Sequence, residues 1–302
     1  CIRDSHCPYR QLPAADLERY DPESISFLPN AVDATVQSRE SIGKRPLPAD
    51  LSRAETDLQK RELLAGYYAH VTALDRCVGR LLRCLEEEGL ADNTLVVFTS
   101  DHGDMLFSQT RGWKSKPWRE SVSVPLIMRW PGRVPAGRVS QGLIGVVDFM
   151  PTLLALAGAA IPSGVEGLDL SAMVRGDEAA SPESVFINFP VIPAWFTYGC
   201  WRGVMTKTHT FVRNRTGPWL LYDDAADPFQ LENLVNRPDA AALQAMLDAH
   251  LQQWIRQTRD PFESSRAVAD RYLPGHQDNV VPAFYNEEIL RGYREDAVNS
   301  TM

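Results

Sequence analysis

The most chemically loaded stretch of the sequence is Ser100-Asp101-His102-Gly103-Asp104, which follows directly on the apolar run Thr94–Thr99. A carboxylate and an imidazole side by side offer one oxygen and one nitrogen donor to a divalent cation. The glycine lets the backbone bend so that adjacent side chains converge. Ligand sites in open α/β sheets form beyond the carboxyl ends of strands, which is where this pentapeptide stands. Two donors do not hold a metal unaided, and a polar turn closing a strand is the plainer reading of the same residues.

A second cluster, Arg111-Gly-Trp113-Lys114-Ser115-Lys116-Pro117-Trp118-Arg119-Glu120-Ser121, crowds cations and aromatics ahead of the run VPLIMRW. A lysine there is a point charge with three donors, suited to charge that builds on sulfate or phosphate oxygens in a transition state. A solvated basic loop is the alternative. Trp113 and Trp118 would either wall such a pocket or lie in the core. A third cluster, Asp4-Ser5-His6-Cys7-Pro8-Tyr9-Arg10, contains a histidine able to protonate a leaving group. A histidine beside a proline also reads simply as a surface residue.

The elements that must position these groups follow from periodicity. Leu64, Tyr67, Tyr68, Val71, Leu74, Val78, Leu81, Leu82 and Leu85 recur at spacings of three and four, predicting one amphipathic helix that Gly89 ends. Thr94–Thr99 is a continuously apolar, β-rich run and predicts a strand covered on both faces. Val122–Trp130 and Gly142–Val147 supply two further strands, the latter running into a helix from near Asp148 through Leu156. This alternation predicts a parallel sheet with crossover helices. Beyond residue 177 the rhythm changes to short runs, Val185–Phe189, Trp201–Thr206, Thr210–Val212 and Trp219–Tyr222. These predict a small antiparallel sheet, followed by an amphipathic helix over Ala240–Arg256 that uses Leu243, Met246, Leu247, Leu251 and Trp254. Tyr198, Trp201 and His209 at the start of this part read as packing residues, with substrate contact as the alternative. Residues 1–50 are Pro-rich and irregular, and the tail after Asp260 carries no pattern.

At 302 residues, with 44% hydrophobic and 23% charged, the chain is long enough for two domains and composed like an ordinary globular protein. Thirty-one basic against 39 acidic residues give a net charge of −8, with no Lys/Arg-rich run. A nucleic acid or anionic membrane held by bulk electrostatics is therefore not expected, and no apolar stretch approaches the ~20 residues of a membrane span. Cys1, Cys7, Cys77, Cys84 and Cys200 form no CxxC pair and read as thiols. Cys77 and Cys84 stand about 10 Å apart along a helix axis, too far to bridge. The chain opens on Cys1 rather than an initiator Met, so a preceding segment is expected and the compartment is left open.

In order and spacing, the three clusters resemble the sulfatase family of the alkaline-phosphatase superfamily. The likeness runs through SHCPYR, SDHGD, the lysine loop ending RESVSVPLIMRWPG, VVDFMPTLLALAG, EGLDLSAMVRG and WRGVMTK, and on to WLLYDDAADPFQLENLV. It implies an alkaline-phosphatase-like α/β sheet flanked by helices, present in part over 1–177. It also implies a small α+β C-terminal domain with an antiparallel sheet and packed helix over 178–302.

The resemblance makes Asp101 and His102 metal ligands, Lys114 the lysine that contacts the sulfate, and His6 the group beside the leaving-group oxygen. Lys116 fits less well than Lys114. The family metal is commonly Ca2+, with Mg2+ or Mn2+ as alternatives, since many members carry Asn where His102 stands. Gln109 occupies a position where many relatives have histidine. The family nucleophile is a formylglycine made from the Cys or Ser of a C/S-x-P-x-R motif, in an N-terminal half that also brings two aspartate ligands.

No cysteine here has proline two residues later. Ser115-Lys116-Pro117-Trp118-Arg119 fits the motif literally but lies after the metal pair, where the nucleophile does not belong. The expectation is a sulfuric ester hydrolase, arylsulfatase-like, acting on a small-molecule or glycan sulfate ester, of which this chain is a C-terminal portion inactive alone. The alternatives are a phosphodiesterase or phosphonate monoester hydrolase of the same superfamily, and a non-catalytic fragment that binds sulfated glycans.

Overall fold

The computed structural model describes residues 12–32, 56–110, 114–189 and 200–263. They belong to two compact units, divided between Ser181 and Pro182.

In the first unit the short helices α1 (Ala14–Leu17) and α2 (Pro29–Val32) precede a long helix, α3 (Asp57–Glu87). Thr56 starts α3 with a capping box: its Oγ1 accepts the Gln59 amide at 3.2 Å, and Gln59 Oε1 accepts the Thr56 amide at 3.0 Å. The helix closes as the sequence requires, with Leu90 N–H on Leu85 O and Gly89 N–H on Glu86 O. Its thirty-one residues correspond to a length of about 46 Å.

The apolar stripe of α3 is buried over only part of that length. Leu63, Leu64 and Ala65 pack with Ile25 and Phe107, flanked by Tyr20, Phe27 and Leu106. Farther along, Val71, Leu74 and Leu81 are 49%, 46% and 67% exposed. The segment around α1 lies against this middle stretch. Tyr20 Oη is 2.6 Å from Thr72 Oγ1, and Arg76 grips the buried Asp16 carboxylate with two hydrogen bonds of 2.6 and 2.7 Å.

Strands β1 (Val96–Thr99) and β2 (Leu126–Arg129) form a ladder in which Val96 faces Arg129 and Thr99 faces Leu126. The pairing is antiparallel, which corrects the expectation of parallel strands at this point. A parallel return needs a crossover that carries the chain back along the strand, usually a helix. Between β1 and β2 the described residues form only a 3₁₀ turn, Ser108–Thr110, and the four-residue helix α4 (Arg119–Val122). The segment 100–125 is thus one excursion that leaves and re-enters the ladder at the same end. Nor is β1 covered on both faces: Val96, Val97 and Phe98 are half-buried and Thr99 is exposed.

Gly142–Val147 is not a strand. Its backbone is satisfied by side chains instead. Leu143 N–H donates to Ser181 Oγ, and the buried Asp148 carboxylate accepts the Gly145 and Leu168 amides at 2.8 Å each. Helix α5 (Phe149–Ala157) follows, and Thr152 Oγ1 accepts the Leu170 amide just ahead of α6 (Ser171–Arg175).

The second unit is a four-stranded antiparallel meander, β3 (Val185–Phe189), β4 (Trp201–Met205), β5 (His209–Asn214) and β6 (Gly217–Asp223), with α7 (Ala241–Gln257) packed on it. The expected strands and helix are all present. Val204, Phe211 and Leu221 from the sheet meet Leu247 and Leu251 from α7, with Leu243 and Trp254 at the edges. Met246, expected on the same face, is 48% exposed. It lies three residues after Leu243 and five before Leu251, at the margin of the stripe.

Two polar groups are also buried here. Thr210 Oγ1 and Gln230 Nε2 both donate to Asp224, and Arg202 forms a two-pronged pair with Asp260 while its guanidinium lies over the Phe262 ring. Burial alone would raise the Asp260 carboxyl. The Arg202 and Phe262 hydrogen bonds, with the Arg202 charge, outweigh it and hold the group below its ordinary value. Cys77 and Cys84 are exposed and Cys200 is buried, all as free thiols, while Cys1 and Cys7 lie outside the described residues. Among the described residues no helix is long and apolar enough to cross a membrane.

Leu247→Ala should cost about 2–5 kcal/mol of unfolding free energy, whereas Met246→Ala should change it by no more than about 0.5 kcal/mol; urea titration of the two variants separates them. The Arg76 hydrogen bonds lower the Asp16 carboxyl, so the pair stabilises the fold above the unfolded-state value. Accordingly, the melting-temperature gap between the natural chain and Arg76→Met should stay constant from neutral pH down to about pH 4. It should then close on further acidification, as Asp16 takes up its proton.

Candidate active site

The loop that leaves β1 places Asp101 and His102 at the open end of the ladder. Asp101 is largely exposed, and its Oδ1 accepts the His102 amide at 3.0 Å. His102 Nδ1 lies 2.8 Å from Gly103 O. A carbonyl only accepts, so Nδ1 carries a proton, and in the neutral ring the lone pair is on Nε2. That nitrogen stands 3.6 Å from Asp101 Oδ2. Two neighbouring donors at ordinary Ca2+ distances of about 2.4 Å would be about 3.4 Å apart, so the oxygen and nitrogen fit one cation with little adjustment. The donor set is incomplete on its own. Among the described residues, no group of three or more His, Cys, Asp or Glu side chains gathers as a metal cage.

Gly103 turns this loop into the rest of the excursion. Its amide donates to Ser121 O at 2.9 Å, and a Cβ at this position would lie 1.9 Å from Glu120 O. No side chain fits there. Asp104 accepts the Leu106 amide through Oδ1 and bears on Tyr67 of α3, whose hydroxyl is raised by burial first and by the Asp104 charge second. From Met105 to Gln109 the chain is buried apart from Leu106. Leu106, Phe107 and Gln109 adopt positive φ values of 40°, 76° and 52°.

The lysine loop returns to the same anchor. Ser121 is 3% exposed, and its Oγ accepts the Lys116 amide at 3.2 Å. Lys116 is 5% exposed and its Nζ donates to Lys114 O at 2.9 Å. Lys114 itself is half-buried, and Ser115 between the two lysines has φ 73°. Trp118 is fully buried, the core alternative of the two weighed for it. Asn30, also fully buried, donates to Glu120 Oε1 and so fixes α2 beside α4.

Three of the groups singled out from sequence are therefore carried on one excursion: Asp101, His102 and Lys114. His6, Trp113 and Tyr198 lie outside the described residues. Trp201 and His209 belong to the second unit. Trp201 is buried and stacked on Phe189, and His209 Nδ1 is 2.8 Å from Thr208 Oγ1. Sequence reasoning named Ser121 only as the end of the lysine cluster and Tyr67 only as a helix position, and did not single out Asn30. The one signal for Ser121 is a small polar residue placed just before an apolar strand, which has no meaning until Gly103 is known to approach it.

The sulfatase family profile matches residues 7–159, and that for the C-terminal region of N-sulphoglucosamine sulphohydrolase matches residues 111–257. An ulvan-active sulfatase of Formosa agariphila is 32% identical over 275 residues, which is 90% of this chain and 50% of that protein. The chain thus spans half the length of this relative. The structure of BT4656 in complex with its substrate D-glucosamine-2-N,6-O-disulfate superposes with a TM-score of 0.64 at 30% identity, covering 68% of this chain and 43% of the other. A phosphonate monoester hydrolase from Silicibacter pomeroyi gives a TM-score of 0.68 at 25% identity, over 85% of this chain and 54% of the other. The sulfatase profile takes in the whole excursion from β1 to β2, with Asp101, His102, Lys114 and Ser121 inside its bounds, and covers half of the sequence: the chain belongs to the sulfatase family.

Proposed function

We propose that this chain is the C-terminal portion of a sulfuric ester hydrolase acting on a sulfated sugar or another small sulfate ester. Residues 1–177 would contribute the end of the catalytic α/β domain and 178–302 a small C-terminal domain. The observation that carries the reading is that Gly103, next to Asp101–His102, and Lys116, whose ammonium holds the Lys114 carbonyl, are both bonded to Ser121. A carboxylate–imidazole pair able to hold a cation, with an amine on the same excursion, suits recognition of a tetrahedral oxyanion. The ulvan-active relative and the bound glucosamine disulfate of the BT4656 structure support a glycan sulfate as the substrate class.

In this reading Asp101 and His102 Nε2 supply two of the ligands of a divalent metal, with Ca2+ the first candidate and Mg2+ or Mn2+ the others. When present, such a metal orients the sulfate and offsets its charge, and a formylglycine from an N-terminal half supplies the nucleophile. Lys114 places its ammonium against the same oxygens, where charge grows in the transition state. His6 holds a proton for the departing alkoxide or phenoxide oxygen.

On its own the chain would turn over negligibly, since the described residues gather only two metal donors and the sequence offers no nucleophile in the expected place. The exposed Val71, Leu74 and Leu81 on α3 and Ile127 on β2 support a further segment packing over this unit. A second reading, phosphonate monoester or phosphate diester hydrolysis, is favoured by the Silicibacter pomeroyi neighbour, since an Asp–His pair with a lysine serves phosphoryl as well as sulfuryl transfer.

In a polypeptide carrying both halves, Lys114→Ala should lower kcat on an aryl sulfate by about 10²–10³-fold. An unchanged rate refutes the assignment. Asp101→Asn should abolish the rise in melting temperature that Ca2+ produces in the same polypeptide, a readout independent of turnover. Comparing matched aryl sulfate, phosphate diester and phosphonate monoester substrates decides between the two readings. The sulfatase reading requires the sulfate to be hydrolysed fastest.

A further inference from the structure

We infer that Ser121 is a positioning residue that couples the metal-donor loop to Lys114, an inference that rests on the sulfatase reading above. One buried residue makes three bonds to three different parts of the excursion. Its carbonyl accepts the Gly103 amide at 2.9 Å, one residue from His102. Its Oγ accepts the Lys116 amide at 3.2 Å, and its own amide donates to Trp118 O at 2.9 Å.

From Lys116 the chain of contacts continues through Nζ to the carbonyl of Lys114. Gly103, the residue after the donor pair, is thus one hydrogen bond from Ser121, and the Lys114 backbone is two. Lys116 is therefore not a second sulfate lysine in this arrangement. Its ammonium is turned inward onto the peptide that carries Lys114.

The frame around Ser121 is rigid enough for this coupling to matter. Trp118 and Ser121 are both buried, Asn30 holds Glu120, and Glu120 O closes on Gly103 so tightly that only glycine fits. Ser115 lies in the left-handed region between the two lysines. A non-glycine residue there persists only where its surroundings over-determine the backbone. The Ser121 hydroxyl and the Lys116 ammonium supply that constraint from the two sides of the Lys116 residue.

The two arms are chemically separable. Ser121→Ala keeps the carbonyl that holds Gly103 and deletes only the oxygen that holds Lys116. The lysine loop should loosen while the metal-donor loop keeps its place. A displacement on the order of 1 Å of a group that acts only when well placed costs about 10- to 100-fold in rate.

The test has a structural arm on the 302-residue chain and a kinetic arm on the polypeptide carrying both halves. In the chain, Ser121→Ala should speed amide exchange at Lys116 at least about tenfold while leaving Gly103 unchanged. Equal acceleration at both amides overturns the separation of the arms. In the kinetic arm, Ser121→Ala should lower kcat about 10- to 100-fold with little change in KM, and Ser121→Thr, which keeps the hydroxyl, should restore most of it.

The deciding comparison is a double-mutant cycle with Lys114→Ala. If Ser121 acts through Lys114, adding Ser121→Ala to Lys114→Ala costs nothing further. A full second loss in that background overturns the inference while leaving the sulfatase reading intact. An inert Lys114→Ala overturns both. Should Ser121→Ala fail to fold, Ser121→Cys, similar in size and a weaker acceptor, replaces it in both arms with the same criteria.

Discussion

The arrangement of the candidate site depends on a single close approach, that of Gly103 to the Glu120–Ser121 peptide. A Cβ at 103 would stand 1.9 Å from Glu120 O, and the Gly103 amide spends its one hydrogen bond on Ser121 O. That contact joins the two ends of the excursion between β1 and β2, while Phe107 and Trp118 hold its middle in the core. With it, the excursion is closed into an inner loop over 104–120, and the entropy of ordering that loop is met within the local fold. The antiparallel pairing of β1 with β2 cooperates, because Thr99 opposite Leu126 brings both ends of the excursion to one edge of the ladder.

The two units solve the burial problem differently. The second closes its own core. Val204, Phe211, Leu221, Leu247 and Leu251 are essentially inaccessible, and the polar groups buried with them are paired through Asp224 and Asp260. The first leaves large apolar side chains on α3, on β2 and around Val146–Met150 open to solvent. An amphipathic helix whose stripe is half covered gains only part of the stabilisation its sequence encodes. Burial accordingly concentrates at the start of α3, near Phe107 and the lysine loop, which is also where the candidate site is anchored.

Much of this was legible from the sequence, and the failures have identifiable causes. The three-and-four spacing from Leu64 to Leu85 marked α3, and the short alternating runs after residue 184 marked the meander and α7, because both patterns report local periodicity directly. The direction of β2 was not legible. An apolar run states that a strand is to be buried and says nothing of which way its neighbour runs. Gly142–Val147 misled for a related reason: its backbone bonds go to Ser181 and Asp148 side chains, a solution that composition does not distinguish from a ladder. In the candidate site, Asp101, His102 and Lys114 were singled out by chemical type and spacing. Ser121 and Asn30 were not singled out, since the Ser121 carbonyl meets Gly103 18 positions back, its hydroxyl meets Lys116 five positions back and the Asn30 amide meets Glu120 90 positions on, contacts that only the folded chain makes. His6 lies outside the described residues, so its role rests on the resemblance of its motif.

The stretch that follows Asp104 is held in backbone its residues do not favour. Leu106, Phe107 and Gln109 all occupy left-handed backbone, and none is a residue that favours it. Each such residue costs about 1–3 kcal/mol and persists only when the surroundings leave no alternative. Those surroundings are present. Phe107 is locked into the cluster with Leu63, Leu64 and Ile25, and Met105, Ser108 and Gln109 are all at most 3% exposed. A relaxed turn would be easier to make but would not carry the chain from Asp104, whose carboxylate accepts the Leu106 amide, to the lysine segment that Ser121 holds. Left-handed backbone in the connection, core packing that holds it and a buried hydroxyl that accepts the Lys116 amide together fix how the chain passes from Asp104 to the lysine segment.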